Sequence, residues 1–352
     1  MRMMATLVLA CIGLAGCTAM GPDESAAKAE SWTLAGSDIF PVDRSLARAE
    51  DGVILPDGRL IVADQRHGLI ELSKDGVASP FGDFAEAGYR DDSNGARAAP
   101  NGVHLSPDGK HILVADVFTG VIYRTDVGTV TTEAIYRHGS TVNTAIEDST
   151  GAIWFTQSTA GIGEKGMLAA IDRPLADGAL LRLARKPDGT LADKPEILVG
   201  GLDFANGFHL DEDGKRLFLS ETIANRVLGF SLDVAKGTVT NRRVVAEIAT
   251  PDNMRLDAEG KLWVASPLSN RVMVIDPADG SSRIGFDAQT AGGAKAIAEW
   301  NRRGRAGETR LDLLGPNATG GMPGLLTGII FDRRDRPVYI SNLGNALVKL
   351  KR

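Results

Sequence analysis

Glu50, Asn101, Asn143, Asn206, Asp252 and Thr327 each stand eight residues before a turn residue: Gly58, Gly109, Gly151, Gly214, Gly260 and Asp335. Two carboxylates, three amides and a hydroxyl at one offset supply hard oxygen donors. Ca²⁺ takes six to eight oxygens at about 2.3–2.6 Å and tolerates irregular geometry. One Glu, one Asp and two or three Asn would supply four or five of these and a net charge of about −2. Zinc is disfavoured, because the set holds neither Cys nor His. The set also has no cationic member, so Glu50 and Asp252 confined together would repel and shed a charge unless a cation lay between them. The alternative is a polar channel filled by water.

Those six residues need a scaffold that repeats. After each turn comes a β-rich run: RLIVAD, KHILVAD, AIWFTQ, KRLFLSE, KLWVAS and RPVYIS. Strand, Gly-bearing turn and strand, repeated, are the unit of a propeller blade. Equivalent residues of successive blades then lie at one height around one axis, which makes the six a ring at a channel mouth. The expected fold is all-β: a six-bladed β-propeller of four-stranded antiparallel blades over residues 32–352. The first strands read EDGVIL, NGVHLS, NTAIED, NGFHLD, DNMRLD and TGIIFD, mainly buried on both faces. Period-two alternation puts His104 and His209 on the face opposite the ring, between blades, rather than in the role of catalytic bases.

Later strands are expected at 121–128, 179–186, 227–233, 271–277 and 346–351, each a short turn beyond its blade's signature. Segment 31–41 is expected to supply the outer strand that closes the ring against the last blade. The turn spacing is uneven, and the surplus falls in three insertions expected over the ring. Residues 84–100 lead into Asn101. Residues 157–178 are Gly-rich and read as a mobile loop, with Met167 and Leu168 as apolar candidates to face a substrate. Residues 287–320 contain a short helix with Ile297 and Trp300 on one face, where Trp300 either contacts substrate or anchors the insertion. His138, five residues before Asn143, is a weaker base candidate that reads as a surface residue.

The net charge of −6 over 352 residues and the lack of a Lys/Arg stripe argue against a nucleic-acid partner. Met1-Arg2 followed by an apolar run to Ala15 has signal-peptide proportions, too short to span a bilayer as a helix. Leu14-Ala15-Gly16-Cys17 resembles a bacterial lipobox. It implies removal of 1–16, acylation of Cys17 and a flexible tether over 18–31. Cys11 would leave with the signal, so Cys17 would be the one remaining cysteine and no intrachain disulfide is expected. The location implied is the bacterial cell envelope, on the outer membrane facing the periplasm, held by the lipid anchor only.

The stretch GLDFANGFHLDEDGKRLFLSETIANRVLGFSL (201–232) resembles the equivalent stretch of strictosidine synthase-like and paraoxonase proteins, and more loosely the SMP-30/gluconolactonase branch. TPDNMRLDAEGKLWVAS (250–266) and AEDGVILPDGRLIVAD (49–64) resemble further blades of these six-bladed propellers. The resemblance implies one catalytic Ca²⁺ held by Glu50, Asn143, Asn206 and Asp252, with Asn253 as an extra ligand in the paraoxonase pattern. Three positions depart from it. Asn101 stands where paraoxonases have a His, which tells against their histidine mechanism. Thr144 replaces the Asp of their second calcium site, and Thr327 replaces a Glu that strictosidine synthases need.

The function expected is Ca²⁺-dependent hydrolysis of lactones or related esters. The ion would polarise the carbonyl, Asp252 would be ligand and candidate general base, and Asn101 and Thr327 would orient the substrate. The alternative is a non-catalytic envelope lipoprotein whose propeller mouth binds a small ligand or a protein. A sugar-oxidising reading fits less well, since no quinone- or nucleotide-binding motif is present.

Overall fold

The structure, a computed structural model, describes residues 31–91, 97–315 and 318–351. The signal segment 1–16, Cys17 and nearly all of the tether lie outside the described residues. Residues from Ser31 onward form one compact unit.

Six antiparallel sheets follow one another along the chain. Blade 1 is built from Gly52–Ile54, Leu60–Asp64, Gly68–Leu72 and Ala78–Pro80; blade 2 from Pro100–Leu105, His111–Asp116, Val121–Asp126 and Thr132–Arg137. Blade 3 comprises Ala145–Glu147, Ile153–Gln157, Gly178–Leu183 and Glu196–Leu202; blade 4 comprises Ala205–Asp211, Arg216–Glu221, Arg226–Asp233 and Thr238–Glu247. Met254–Leu256, Leu262–Ser266, Arg271–Ile275 and Ser282–Asp287 form blade 5. Blade 6 takes Leu326–Phe331, Pro337–Asn342 and Leu347–Leu350 from the C-terminal end and Ser37–Phe40 from the N-terminal side. Segment 31–41 therefore closes the ring as expected. It also adds Trp32–Thr33 as a parallel fifth strand on blade 5.

The turn chemistry explains the regular hairpins. Gly58, Gly109, Gly151 and Gly260 have φ between 71° and 96°, a left-handed conformation that costs glycine nothing. Asp57, Asp108 and Asp332 side chains accept from the backbone N–H two residues on, fixing the turn from inside. Second strands such as Leu60–Asp64 and Leu262–Ser266 are buried along their whole length, which suits runs that are apolar on both faces. The core is accordingly divided. Six apolar clusters each join residues of two neighbouring blades, for example Leu55, Ile61 and Leu69 with Val103, Ile112 and Val114. A further cluster lies beneath two helices, α1 (Gly163–Asp172) and α2 (Ala291–Ala306).

The expected place of His104 is corrected. Arg255 of blade 5 donates to His104 Nδ1 at 2.9 Å and to the Val103 carbonyl at 3.1 Å, both in blade 2. Blades 2 and 5 face each other across the ring, so this contact crosses the central channel. The reason is a register shift. Pro100 pairs with Asp116 but Val103 with Val114, so one extra residue sits in the first strand. The same slip separates Ala205 from Phe208 in blade 4. Alternation counted through such a bulge gives the wrong face. Burial, Arg255 and His209 hold His104 well below the usual histidine range; burial and then Arg255 push His209 down to about 4.

Candidate active site

Glu50, Asn101, Asn143, Asn206, Asp252 and Thr327 all line one cavity at the mouth of the propeller, and every one of them is buried. The constant offset in the sequence becomes a constant height in space. Two sets of contacts hold it. At the end of the second strands of blades 1, 2 and 4, a carboxylate clips the segment just before the ring residue. Asp64 accepts from Ala47 N at 2.8 Å, Asp116 from Ala99 N at 3.0 Å and Glu221 from Asp203 N at 2.9 Å. Hydroxyls then reach to the next blade: Thr156 donates to the Asn206 carbonyl, Ser220 to that of Asp252 and Thr327 to that of Glu50, at 2.6–2.8 Å. These clips were not singled out from the sequence. Their signal was present, because LIVAD, LVAD, FLSE and VAS all end on a polar residue that then proves buried.

A second tier lies two residues before the ring. Arg48, Phe204, Thr250 and Leu325 line the cavity from that position. Arg48, Phe204 and Thr250 have φ of 55°, 63° and 47°. Left-handed backbone is costly for side chains like these, above all for β-branched Thr. Its recurrence at one repeat position bends the chain so that the next residues turn to the axis.

The ring itself has no cationic member, but Arg48 brings a cation beside it. Its guanidinium donates to Asn101 Oδ1 at 2.8 Å and to the Pro100 carbonyl at 2.6 Å. Burial lowers its pKa while Glu50, Asp116 and Asp252 oppose that drop. No periodicity pointed to it, since the other blades carry Ala99, Thr141, Phe204, Thr250 and Leu325 there.

The two carboxylates remain under-compensated. Glu50 Oε1 accepts from Asn253 Nδ2 at 3.0 Å, but Glu50 Oε2 is buried without a hydrogen-bond partner. Burial, then the charges of Asp252 and Asp51, hold the Glu50 carboxyl well above the usual carboxylate range. Burial pushes Asp252 up to about 8, against the pull of the Asn206 amide and Arg48. An orphaned oxygen between crowded carboxylates fits a bound cation. Among the described residues no three His, Cys, Asp or Glu groups converge, so amide oxygens must complete any such site. Asn143 and Asn206 are placed to do so. Asn253 lies beneath the cavity, bonded to Glu50, with its Oδ1 buried and unpartnered.

Above the ring, α1 presents Met167 and Ile171, α2 presents Trp300, and Leu314 follows. The expected mobile loop at 157–178 is instead partly helical, because Glu164–Ile171 carries good helix formers behind Gly163. Leu168 is not among the residues that line the cavity. Ile297 joins Trp300 in the cluster beneath the helices, as expected. The described part of 84–100 does not cover the ring: Phe84, Tyr89 and Ala98 pack between blades 1 and 2. His138 bonds to Gln157 at 2.8 Å and meets the Phe155 ring edge-on, and it does not line the cavity.

Residues 128–286 match the family model of the SMP-30/Gluconolactonase/LRE-like region. Regucalcin of Homo sapiens is 36% identical over 83 residues, which is 22% of this chain and 28% of the relative's own length. A gluconolactonase from Xanthomonas campestris superposes with a TM-score of 0.58 at 20% identity, covering 88% of both chains. Regucalcin from Agrobacterium tumefaciens, described as a calcium-binding protein, gives 0.57 at 16% identity over 92% of this chain and 95% of its own. At these identities the structural likeness is one of fold, and the chain is a six-bladed propeller similar to the gluconolactonase and regucalcin propellers.

Proposed function

We propose that the protein is a lactonase-type hydrolase that opens a lactone or related ester at the ring cavity with the help of one Ca²⁺. The observation that carries this reading is the buried, unpartnered Glu50 Oε2 facing a ring whose other carboxylate is Asp252. Glu50, Asn143, Asn206 and Asp252 would hold the ion. When bound it would polarise the acyl carbonyl and neutralise charge that develops there.

The chain's own groups do the rest. Asn101 Oδ1 is engaged by Arg48, so its Nδ2–H₂ is the end left to donate to the carbonyl oxygen. The Thr327 hydroxyl proton goes to the Glu50 carbonyl, leaving the Thr327 oxygen as an acceptor for an orienting hydrogen bond. Asp252 takes a proton from the attacking water at its carboxylate. Water oxygen joins the acyl carbon, the acyl–oxygen bond breaks, and the proton passes to the leaving alkoxide. The apolar roof keeps bulk water away while this happens. The match to a gluconolactonase-type family model and the gluconolactonase fold support the same class.

Calcium binding by calorimetry and turnover of lactones with and without chelator test the reading. The expected outcome is stoichiometric Ca²⁺ uptake and chelator-sensitive hydrolysis, with Asp252→Asn slowing kcat by roughly 10²-fold or more. A protein that neither takes up calcium nor cleaves any lactone or aryl ester is not this enzyme. We further propose that it works in the cell envelope, anchored through acylated Cys17. Incorporation of labelled fatty acid that Cys17→Ala abolishes is the corresponding check.

A further inference from the structure

The repeat that builds the ring also builds the opposite mouth of the channel. Three residues beyond the ring position, blades 2, 4 and 5 carry His104, His209 and Arg255. One residue further, blades 1, 2, 5 and 6 carry Ile54, Leu105, Leu256 and Phe331, each half-buried. These four, with His209 and Arg255, line a cleft of about 490 Å³ at the end away from the ring. Pockets for small ligands run from about 300 to 1,000 Å³. The cleft has an apolar collar and a polar floor.

The floor holds donors that the protein does not use. Arg255 gives Nη1 to His104 and Nη2 to the Val103 carbonyl, which leaves its Nε–H without a partner among the described residues. The carboxylate paired with it, Asp51, stands 3.8 Å away, beyond hydrogen-bond reach, and accepts from Val103 N at 2.9 Å. The His209 imidazole makes no hydrogen bond to any described residue. Burial, Arg255 and Arg216 hold it neutral against Asp211, and a neutral imidazole still carries one N–H to donate. Asp211 itself is paired with Arg216 at 2.6 Å. At the rim, Asp332 is paired with Arg336 at 3.5 Å, while Arg333 and Asp335 offset each other in charge. One oxyanion would answer both floor donors, and charge-assisted bonds are about twice as strong as neutral ones. A bare inorganic anion would leave the collar in water, whereas an alkyl chain would cover it.

We propose that this mouth is a second binding site, which takes a small carboxylate with a short alkyl chain. Its carboxylate meets Arg255 and His209, and its chain lies against Ile54, Leu105, Leu256 and Phe331. The site is separate from the ring and stands whether or not the ring hydrolyses esters.

The test uses the full chain with chelator present, so that no calcium at the ring can take up a carboxylate. Calorimetry compares hexanoate, hexanamide and inorganic phosphate at neutral pH. NMR of histidine-labelled protein follows the five imidazoles through the hexanoate titration. The expected result is saturable hexanoate binding with a Kd of about 1 mM or tighter, at least tenfold weaker hexanamide and no phosphate binding. The His209 signal should move with hexanoate, while those of His67, His111 and His138 stay. Arg255→Gln should weaken hexanoate at least tenfold. Because Arg255 also braces blade 5 against blade 2, Leu256→Glu, which sets a like charge in the collar, gives the second reading and should do the same. Absence of hexanoate binding overturns the proposal, and hexanamide binding equally well overturns the carboxylate class. Binding that leaves the His209 signal still, or that survives Leu256→Glu, places the ligand elsewhere and overturns the site.

Discussion

Arg48 shows how one residue outside a repeat governs those within it. Its guanidinium orients the Asn101 amide, and its own backbone lies at φ 55°. Arg48→Ala leaves the Pro100 carbonyl and Asn101 Oδ1 without their donor, at about 1–3 kcal/mol each where no water replaces it. Arg48→Gly loses the same bonds but no longer strains a Cβ in the left-handed region. The glycine variant is therefore expected to be more stable than the alanine variant by about 1 kcal/mol, with both losing turnover to a similar degree. Urea unfolding of the pair decides it; an alanine variant as stable as the glycine one would mean the backbone is not held there. The same residue marks a limit of the sequence. The ring was readable because six blades repeat it, whereas Arg48 occurs once and its neighbours in register are Ala, Thr, Phe, Thr and Leu. His104 was misread for a different reason: a single extra residue in its strand reversed the face on which alternation had placed it.

At the scale of elements, the roof is held by few bonds and can be loosened without touching the blades. Asp172, the last residue of α1, accepts from the backbone N–H of Arg310 at 2.7 Å and of Leu311 at 3.0 Å. That carboxylate ties the end of α1 to the turn that carries Leu314 over the cavity. Asp172→Ala removes the acceptor for both amides, a local loss of roughly 1–3 kcal/mol. Hydrogen exchange should then speed up across 310–314 while the melting temperature moves by no more than a few degrees, and KM should rise more than kcat falls. Asp172→Asn keeps an acceptor and should restore much of the protection. Exchange unchanged in Asp172→Ala would show that packing of Trp300 and Ala318 alone secures the turn. The strands of the blades were legible in period and turn chemistry. The roof was legible only in part: α2 announced itself through Ile297 and Trp300, while the glycines around 161–166 concealed α1.

For the whole molecule, closure decides stability, because no blade buries both of its faces alone. Each of the six apolar clusters needs two blades, and the cluster between blades 6 and 1 includes Phe40 from the closing strand. Phe40 packs on Tyr339 with ring centroids 5.7 Å apart, and its strand pairs only with Leu347–Leu350. Trp32 adds a second fastening, donating from its indole to the Lys351 carbonyl at 2.7 Å. Closure by 31–41 was expected because that segment stands just ahead of the first blade's signature. Phe40→Ala should cost about 3–5 kcal/mol, the usual range for a buried aromatic ring. If the ring is a single cooperative unit, that cost appears as one shifted transition with an unchanged denaturant slope, reported alike by probes in blade 3 and blade 6. If instead blade 6 peels away while blade 3 stays folded, two transitions separate and closure serves only its own blade. The clusters argue for the first outcome: freeing blade 6 exposes its interfaces with both neighbours, and each neighbour then loses the apolar cluster it shared with blade 6.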